Sequence, residues 1–170
     1  INPIKEINSR ESDYSPVFVG GRDNEVIFTS SRQAATGKRK SMITGQDYTD
    51  LFRATFSVQR QKWEQPQLLD ENLIINSGDE DGAATLSSTG EQMIFTRARY
   101  DKTQSLGAEL YSTSQSRGSW SEPIKLQVVG DSLIAAHPSL SADGSVLYFV
   151  SDMPGGLGGK DIWRAEKSGG

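Results

Sequence analysis

Residues 137–152 read HPSLSADGSVLYFVSD, and after a glycine-rich run residues 160–164 read KDIWR. Two other stretches are versions of this one. AATLSSTGEQMIFTRA at 83–98 leads to AELYS at 108–112, and PVFVGGRDNEVIFTSS at 16–31 leads to TDLFR at 49–53. A second marker falls between the units, KWEQPQLL at 62–69 and SWSEPIKLQ at 119–127. The order of parts is constant. A repeat of this size is one supersecondary unit that cannot bury its apolar face alone and must stack on its neighbours.

Each unit predicts a short strand, a tight turn and a more apolar strand. In the third unit these are His137–Ser141, Ala142-Asp143-Gly144 and Val146–Ser151. Asp-Gly between short apolar runs is a hairpin signal, because glycine takes the positive φ of the turn. Thr89-Gly90 does the same in the second unit, and Gly20-Gly21-Arg22-Asp23-Asn24 in the first. The strands VIFTS, MIFTR and LYFVS are apolar on successive positions, which predicts burial on both faces. The next strand sets an apolar pair after an acid: Leu51-Phe52, Leu110-Tyr111 and Ile162-Trp163. A fourth, outer strand is expected after each Trp-x-x-Pro marker, since proline suits an edge.

Four antiparallel strands per unit predict an all-β fold of β-propeller blades, about three of them, within a larger propeller. The expected divisions are 14–70, 82–129 and an incomplete unit at 136–166. Residues 1–8 are expected to form the outer strand of a preceding blade, because Asn2-Pro3-Ile4-Lys5 resembles Glu122-Pro123-Ile124-Lys125. Phe28, Phe95 and Phe149 are the predicted buried equivalents.

The bulk numbers narrow the functional classes. Net charge is −4, which argues against nucleic acid as a partner. There is no cysteine, so neither a disulfide framework nor a thiolate metal site exists. No run of about 18 apolar residues is present to form a membrane-spanning helix. No signal peptide is read at the start.

HPSLSADGSVLYFVSD followed by PGGLGGKDIWR, together with EVIFTSSR and TGEQMIFTRA, resembles the WD40-like repeat of TolB-type propellers. The form SDMPGG-x-GG-KDIW is similar to propellers of Bacteroidetes envelope proteins that carry an OmpA-like domain, among them a type IX secretion system component. The resemblance implies a periplasmic, outer-membrane-associated scaffold that is not an enzyme. Its partners would be envelope proteins of the outer membrane or secretion system, with peptidoglycan reached only through other domains. The second unit departs from the pattern at Ser88-Thr89-Gly90, where Pro-Asp-Gly is usual.

No catalytic residue, cofactor site or metal site is expected. His137, the single histidine, lacks a paired nucleophile and is read as structural. Asp79-Glu80-Asp81-Gly82 has carboxylates suited to Ca²⁺ but not the EF-hand spacing, and is read as a solvated or capping turn. Pro154–Lys160 ends in lysine without the following Ser or Thr of a phosphate loop, so its glycines are read as allowing a hairpin. Ser141-Ala142-Asp143-Gly144 lacks the spacing of a sialidase box. The long loop at 31–49 presents Arg32, Lys38, Arg39 and Lys40, read either as a flexible solvated loop or as a basic contact for an acidic partner or an anionic headgroup. The competing expectation is a carbohydrate-binding or glycoside-acting propeller, with Asp13, Asp81 and Asp143 as its carboxylates.

Overall fold

The computed structural model describes residues 1–36, 40, 45–101 and 104–168. Among them there is no helix, and every strand pairing is antiparallel. The strands fall into three sheets that follow the three sequence units. The first holds β1 (Asp13–Val19), β2 (Arg22–Ser30), β3 (Asp50–Ser57), β4 (Lys62–Trp63) and β5 (Gln67–Leu68). The second holds β6 (Glu80–Leu86), β7 (Gln92–Asp101), β8 (Gln104–Ser116), β9 (Ser119–Trp120) and β10 (Ile124–Lys125). The third holds β11 (Ala135–Leu140), β12 (Val146–Ser151) and β13 (Asp161–Glu166).

The hairpin turns form where Gly90 and Gly144 take positive φ, at 74° and 73°. Their N–H groups donate to Ser87 and Ser141. Register then sets aromatic opposite aromatic across each second and third strand. Phe28 faces Phe52, Phe95 faces Tyr111, and Phe149 faces Trp163. The three repeat phenylalanines are all buried, as the sequence pattern predicts.

Two details differ from the expected pattern. The outer strand is split into two short pieces on either side of the proline: β4 and β5 both pair with β3, and β9 and β10 both pair with β8. Pro66 and Pro123 lie in the break, where a missing N–H does no harm. Residues 1–8 form no strand; Ile7 and Asn8 donate N–H bonds back to the Ile4 carbonyl in a turn. Their true counterpart is the approach to β6, because Ile7-Asn8-Ser9 with Asp13 reappears as Ile75-Asn76-Ser77 with Asp81.

The core lies between sheets. One face of the first sheet (Ile27, Leu51) packs on Met93 and Phe95 of the second. The opposite face of the second (Ile94, Leu110) packs on Leu147 and Phe149 of the third. The first strands lie side by side, with β6 against β1 and β11 against β6.

Candidate functional site

Each first strand carries the same irregularity. A bulge separates Tyr14 from Val17, Gly82 from Thr85, and Ala136 from Ser139. Inside each bulge one non-glycine residue is left-handed: Ser15 at φ 51°, Ala83 at 45° and His137 at 53°. Such backbone costs roughly 1–3 kcal/mol per residue and persists only where its surroundings fix it. The fixing groups are visible at two bulges. The Ala83 N–H donates to Thr29 Oγ1 at 2.9 Å, and the His137 N–H donates to Thr96 Oγ1 at 3.0 Å. Both threonines directly follow the repeat phenylalanine. Glycine is needed beside the first contact, since a Cβ at Gly82 would sit 2.6 Å from Thr29 Cγ2.

Where these strands converge there is a cavity of about 280 Å³, whose lining includes Tyr14, Glu80, Ala83, Tyr100, His137 and Lys160. The Tyr100 hydroxyl donates to Glu80 Oε2 at 2.8 Å, and its ring lies 5.3 Å from that of Tyr48. Burial and then the Glu80 carboxylate push the Tyr100 phenol far up. Burial raises Tyr14 too, against the pull of a hydrogen bond with Thr49. Both phenols therefore stay protonated at neutral pH. His137 and Lys160 are exposed at the same site. The concavity thus brings phenol hydroxyls, a carboxylate, an imidazole, an ammonium group and ring surface together.

Each of the first two sheets holds a buried ion pair. Asp13 Oδ1 meets Arg32 at 2.7 Å, and Asp81 Oδ1 meets Arg97 at 2.6 Å. Each arginine also donates to a carbonyl, Ile7 or Ile75, at 2.7 Å. Each aspartate takes two more bonds on Oδ2, from the N–H and hydroxyl of Ser9 or Ser77. Each guanidinium lies over the aromatic pair: Arg32 is 5.0 and 4.9 Å from the Phe28 and Phe52 centroids, and Arg97 is 5.4 and 4.7 Å from Phe95 and Tyr111. Burial pushes the Asp81 carboxyl up despite Arg97 and Ser77. At Asp13 burial also pushes up, but hydrogen bonds from Ser30, Ser9 and Arg32 outweigh it and hold the carboxyl below its ordinary range. The residue-by-residue reading missed these pairs. The recurrence of I-N-S-x-x-x-D at 7–13 and 75–81 was the signal for them.

A different acid is left incomplete. Asp50 is fully buried, its Oδ2 accepts from the Thr36 N–H and hydroxyl, and its Oδ1 has no hydrogen-bond partner among the described residues. Burial pushes its carboxyl up to about 6.

The basic contact expected on the 31–49 loop divides. Arg32 is corrected: its side chain is turned inward and committed to Asp13 and Ile7. Lys38 and Arg39 lie outside the described residues. Lys40 is exposed and 3.6 Å from Asp47. The carboxylates Asp13, Asp81 and Asp143 are not brought together into a cleft. Asp13 and Asp81 are the inward ion pairs of separate sheets, and Asp143 sits in the third hairpin turn, held down at about 2 by Ser141 and Ser145. Asp79–Gly82 does not act as a solvated turn throughout, since Asp81 is interior. The glycine-rich run closes round Asp161, which accepts the Gly158 N–H at 3.0 Å.

No family model matches the chain. No curated protein matches it. Among solved structures it is similar to a puromycin-hydrolyzing peptidase of Mycobacterium tuberculosis, with a TM-score of 0.57 and 17% identity over 94% of this chain. The chain spans 22% of the length of that protein. The likeness is one of fold. It also corrects the expectation that the chain stands outside enzymes, because this arrangement of sheets occurs within a peptidase.

Proposed function

We propose that the three sheets are blades of a larger β-propeller and that the molecule is a protein-interaction scaffold of the bacterial cell envelope. Support for the blades comes from sheets stacked face to face with their first strands adjacent. The observation that carries the binding reading is the cavity among those strands, edged by left-handed bulges and lined by Tyr14, Glu80, Tyr100, His137 and Lys160. A rigid backbone under strain holds those groups in fixed directions. The partner is a polypeptide of the outer membrane or secretion system, and the setting is periplasmic and outer-membrane-associated, as the TolB-type resemblance implies.

The test is site-directed photo-crosslinking in an envelope preparation. A benzophenone side chain at His137 or Lys160 should give a discrete protein adduct, and one at Arg117, on the outer hairpin, should give none. Equal labelling at all three positions, or none at any, would defeat the reading. A second reading draws on the structural likeness: the sheets are the all-β portion of a longer peptide-hydrolysing protein. Cleavage of puromycin or aminoacyl anilides by the longer polypeptide, lost on substitution of cavity residues, would favour it.

A further inference from the structure

The three sheets place an acid at one equivalent position: Asp50 opposite Ser30, Glu109 opposite Arg97 and Asp161 opposite Ser151. Glu109 meets two cations, Lys125 and Arg99, each at 2.8 Å. Asp161 is partly exposed and accepts the Gly158 N–H at 3.0 Å. Asp50 is 0% exposed and makes no ion pair among the described residues. Its partner is Thr36, whose N–H and hydroxyl both reach Asp50 Oδ2, while Oδ1 has no partner among the described residues.

The Thr36 hydroxyl has a second neighbour. Its oxygen lies 2.8 Å from Asp50 Oδ2 and 3.0 Å from the Ser77 carbonyl oxygen. A hydroxyl carries one hydrogen and two acceptor lone pairs. An ionised Asp50 and the Ser77 carbonyl both only accept, so one hydrogen cannot serve the two contacts. A neutral Asp50 resolves the count. Its own hydrogen goes to Thr36 Oγ1, and the Thr36 hydrogen goes to Ser77. Oδ2 keeps a lone pair for the Thr36 N–H. Oδ1 is then a neutral carbonyl oxygen, which costs far less to bury unpaired than an ionised carboxylate does.

We propose that Asp50 is held as a neutral acid that donates to Thr36 and through it to Ser77, a proton-dependent tie between the first sheet and the chain entering the second. Ser77 governs that entry, because its N–H and hydroxyl hold Asp81 Oδ2, both at 2.7 Å. The charged groups around Asp50 do not replace the proton. Asp81 on β6 opposes its ionisation, and Arg97 on β7, which favours it, is committed to Asp81. Ser30, across the ladder, joins the Asp13–Arg32 pair, which is closed on itself. Lys40 is exposed, 3.6 Å from Asp47. Burial raises the Asp50 carboxyl to about 6. The tie is therefore complete in mild acid and lost as pH rises through about 6, when the Thr36 hydrogen turns from Ser77 to the carboxylate. This inference does not depend on the scaffold reading.

Carbon-13 NMR of the 170-residue chain, followed through a pH titration, tests it. The Asp50 carboxyl should titrate near about 6, and the Ser77 carbonyl signal should move with it. In Asp50→Asn that movement of Ser77 should vanish. Thr36→Val keeps the shape and the N–H but removes the relay. The neutral acid then loses its acceptor, so the Asp50 midpoint should fall by about one pH unit, the worth of one hydrogen bond. A hydroxyl that donated to the carboxylate would give the opposite result, a raised midpoint. A raised or unmoved midpoint would overturn the proposal. So would a parent carboxyl that titrates near the ordinary 3.8, or a Ser77 signal that stays flat while Asp50 titrates. Those last two readings need no substitution, so they decide the matter even where a variant fails to fold.

Discussion

The second and third sheets share one register and differ in what they put behind the repeat phenylalanine. In the second, Asp81 lies opposite Arg97, and the guanidinium covers Phe95 and Tyr111. In the third, Ala135 lies opposite Ser151, and Met153 packs into the cluster of Ala135 and Phe149. The backbone therefore accepts either an ion pair or an apolar filling at this depth. A buried pair is often replaceable by apolar residues of similar volume, whereas removal of one partner leaves a charge without compensation. The repeat requires a particular shape there, and the ion pair is one local way of filling it. The pair adds a tether, because Arg97 and Asp81 also hold Ile75 and Ser77 of the incoming chain.

Breaking that pair should have the largest effect. Arg97→Ala leaves Asp81 buried without its cation, and urea denaturation should report a loss of about 3–5 kcal/mol. The paired change Asp81→Ala with Arg97→Met, which writes the third sheet's solution into the second, should lose clearly less than Arg97→Ala alone. If the double variant is the worse of the two, the equivalence of the two sheets fails. Phe95→Ala should cost a similar ~3–5 kcal/mol through the cavity it leaves. Phe149→Ala should cost less, because the third sheet is covered on one side only and can relax from the other. Equal losses at the two phenylalanines would show that the uncovered face does not soften its sheet.

The acid just before the apolar pair of the third strand sharpens the comparison by changing sign between the first two sheets. Asp50 lies opposite Ser30, and Glu109 holds the same place opposite Arg97. Burial raises Asp50 to about 6 from an ordinary 3.8. The native state then binds its proton more tightly than the unfolded chain, so this residue's contribution to stability falls as pH rises from about 4 to about 6. At Glu109 burial also pushes up, but Lys125 and Arg99 outweigh it and hold the carboxyl below its ordinary range. Its contribution is present above the ordinary glutamate range and is lost as pH falls. Urea midpoints measured at intervals from pH 4 to 7 should show a destabilising trend with rising pH that Asp50→Asn removes. Glu109→Gln should remove a trend of the opposite direction. Matching slopes for the two variants would mean that Asp50 is solvated in solution.

The sequence made the strands legible because turn glycines, apolar runs and the spaced phenylalanines all report on local geometry. Phe28, Phe95 and Phe149 were recognisable as equivalents for that reason. The ion pairs were harder to read, since Arg32 lies four residues after its phenylalanine and Arg97 only two after its own, yet both guanidinium groups reach the same position relative to the rings. Alignment by strand residues hides a side chain long enough to arrive from a different Cα. The strand expected at residues 1–8 rested on the short match Pro-Ile-Lys, while the longer match to 75–81 marked a different part of the unit. The strained bulges at Ser15, Ala83 and His137 left no signal of their own, because none of these residues is glycine. What fixes those bulges lies in the neighbouring sheet, beyond the reach of local pattern.

The smallest expected effect tests that long-range fixing. Thr96→Val keeps shape but removes the acceptor of the His137 N–H, leaving a polar group without its partner at about 1–3 kcal/mol. Thr29→Val should do the same to Ala83. Val150 follows Phe149 as Thr29 and Thr96 follow their phenylalanines, and it is the control that the chain already contains: Val150→Thr should leave the stability of the single chain nearly unchanged, because no described sheet lies against it. Hydrogen exchange reads the bond directly. The His137 amide should lose protection in Thr96→Val and keep it in Val150→Thr. If His137 stays protected and left-handed without the Thr96 hydroxyl, then the bulge is dictated within its own strand, and the phenylalanine-threonine step does not carry information from one sheet to the next.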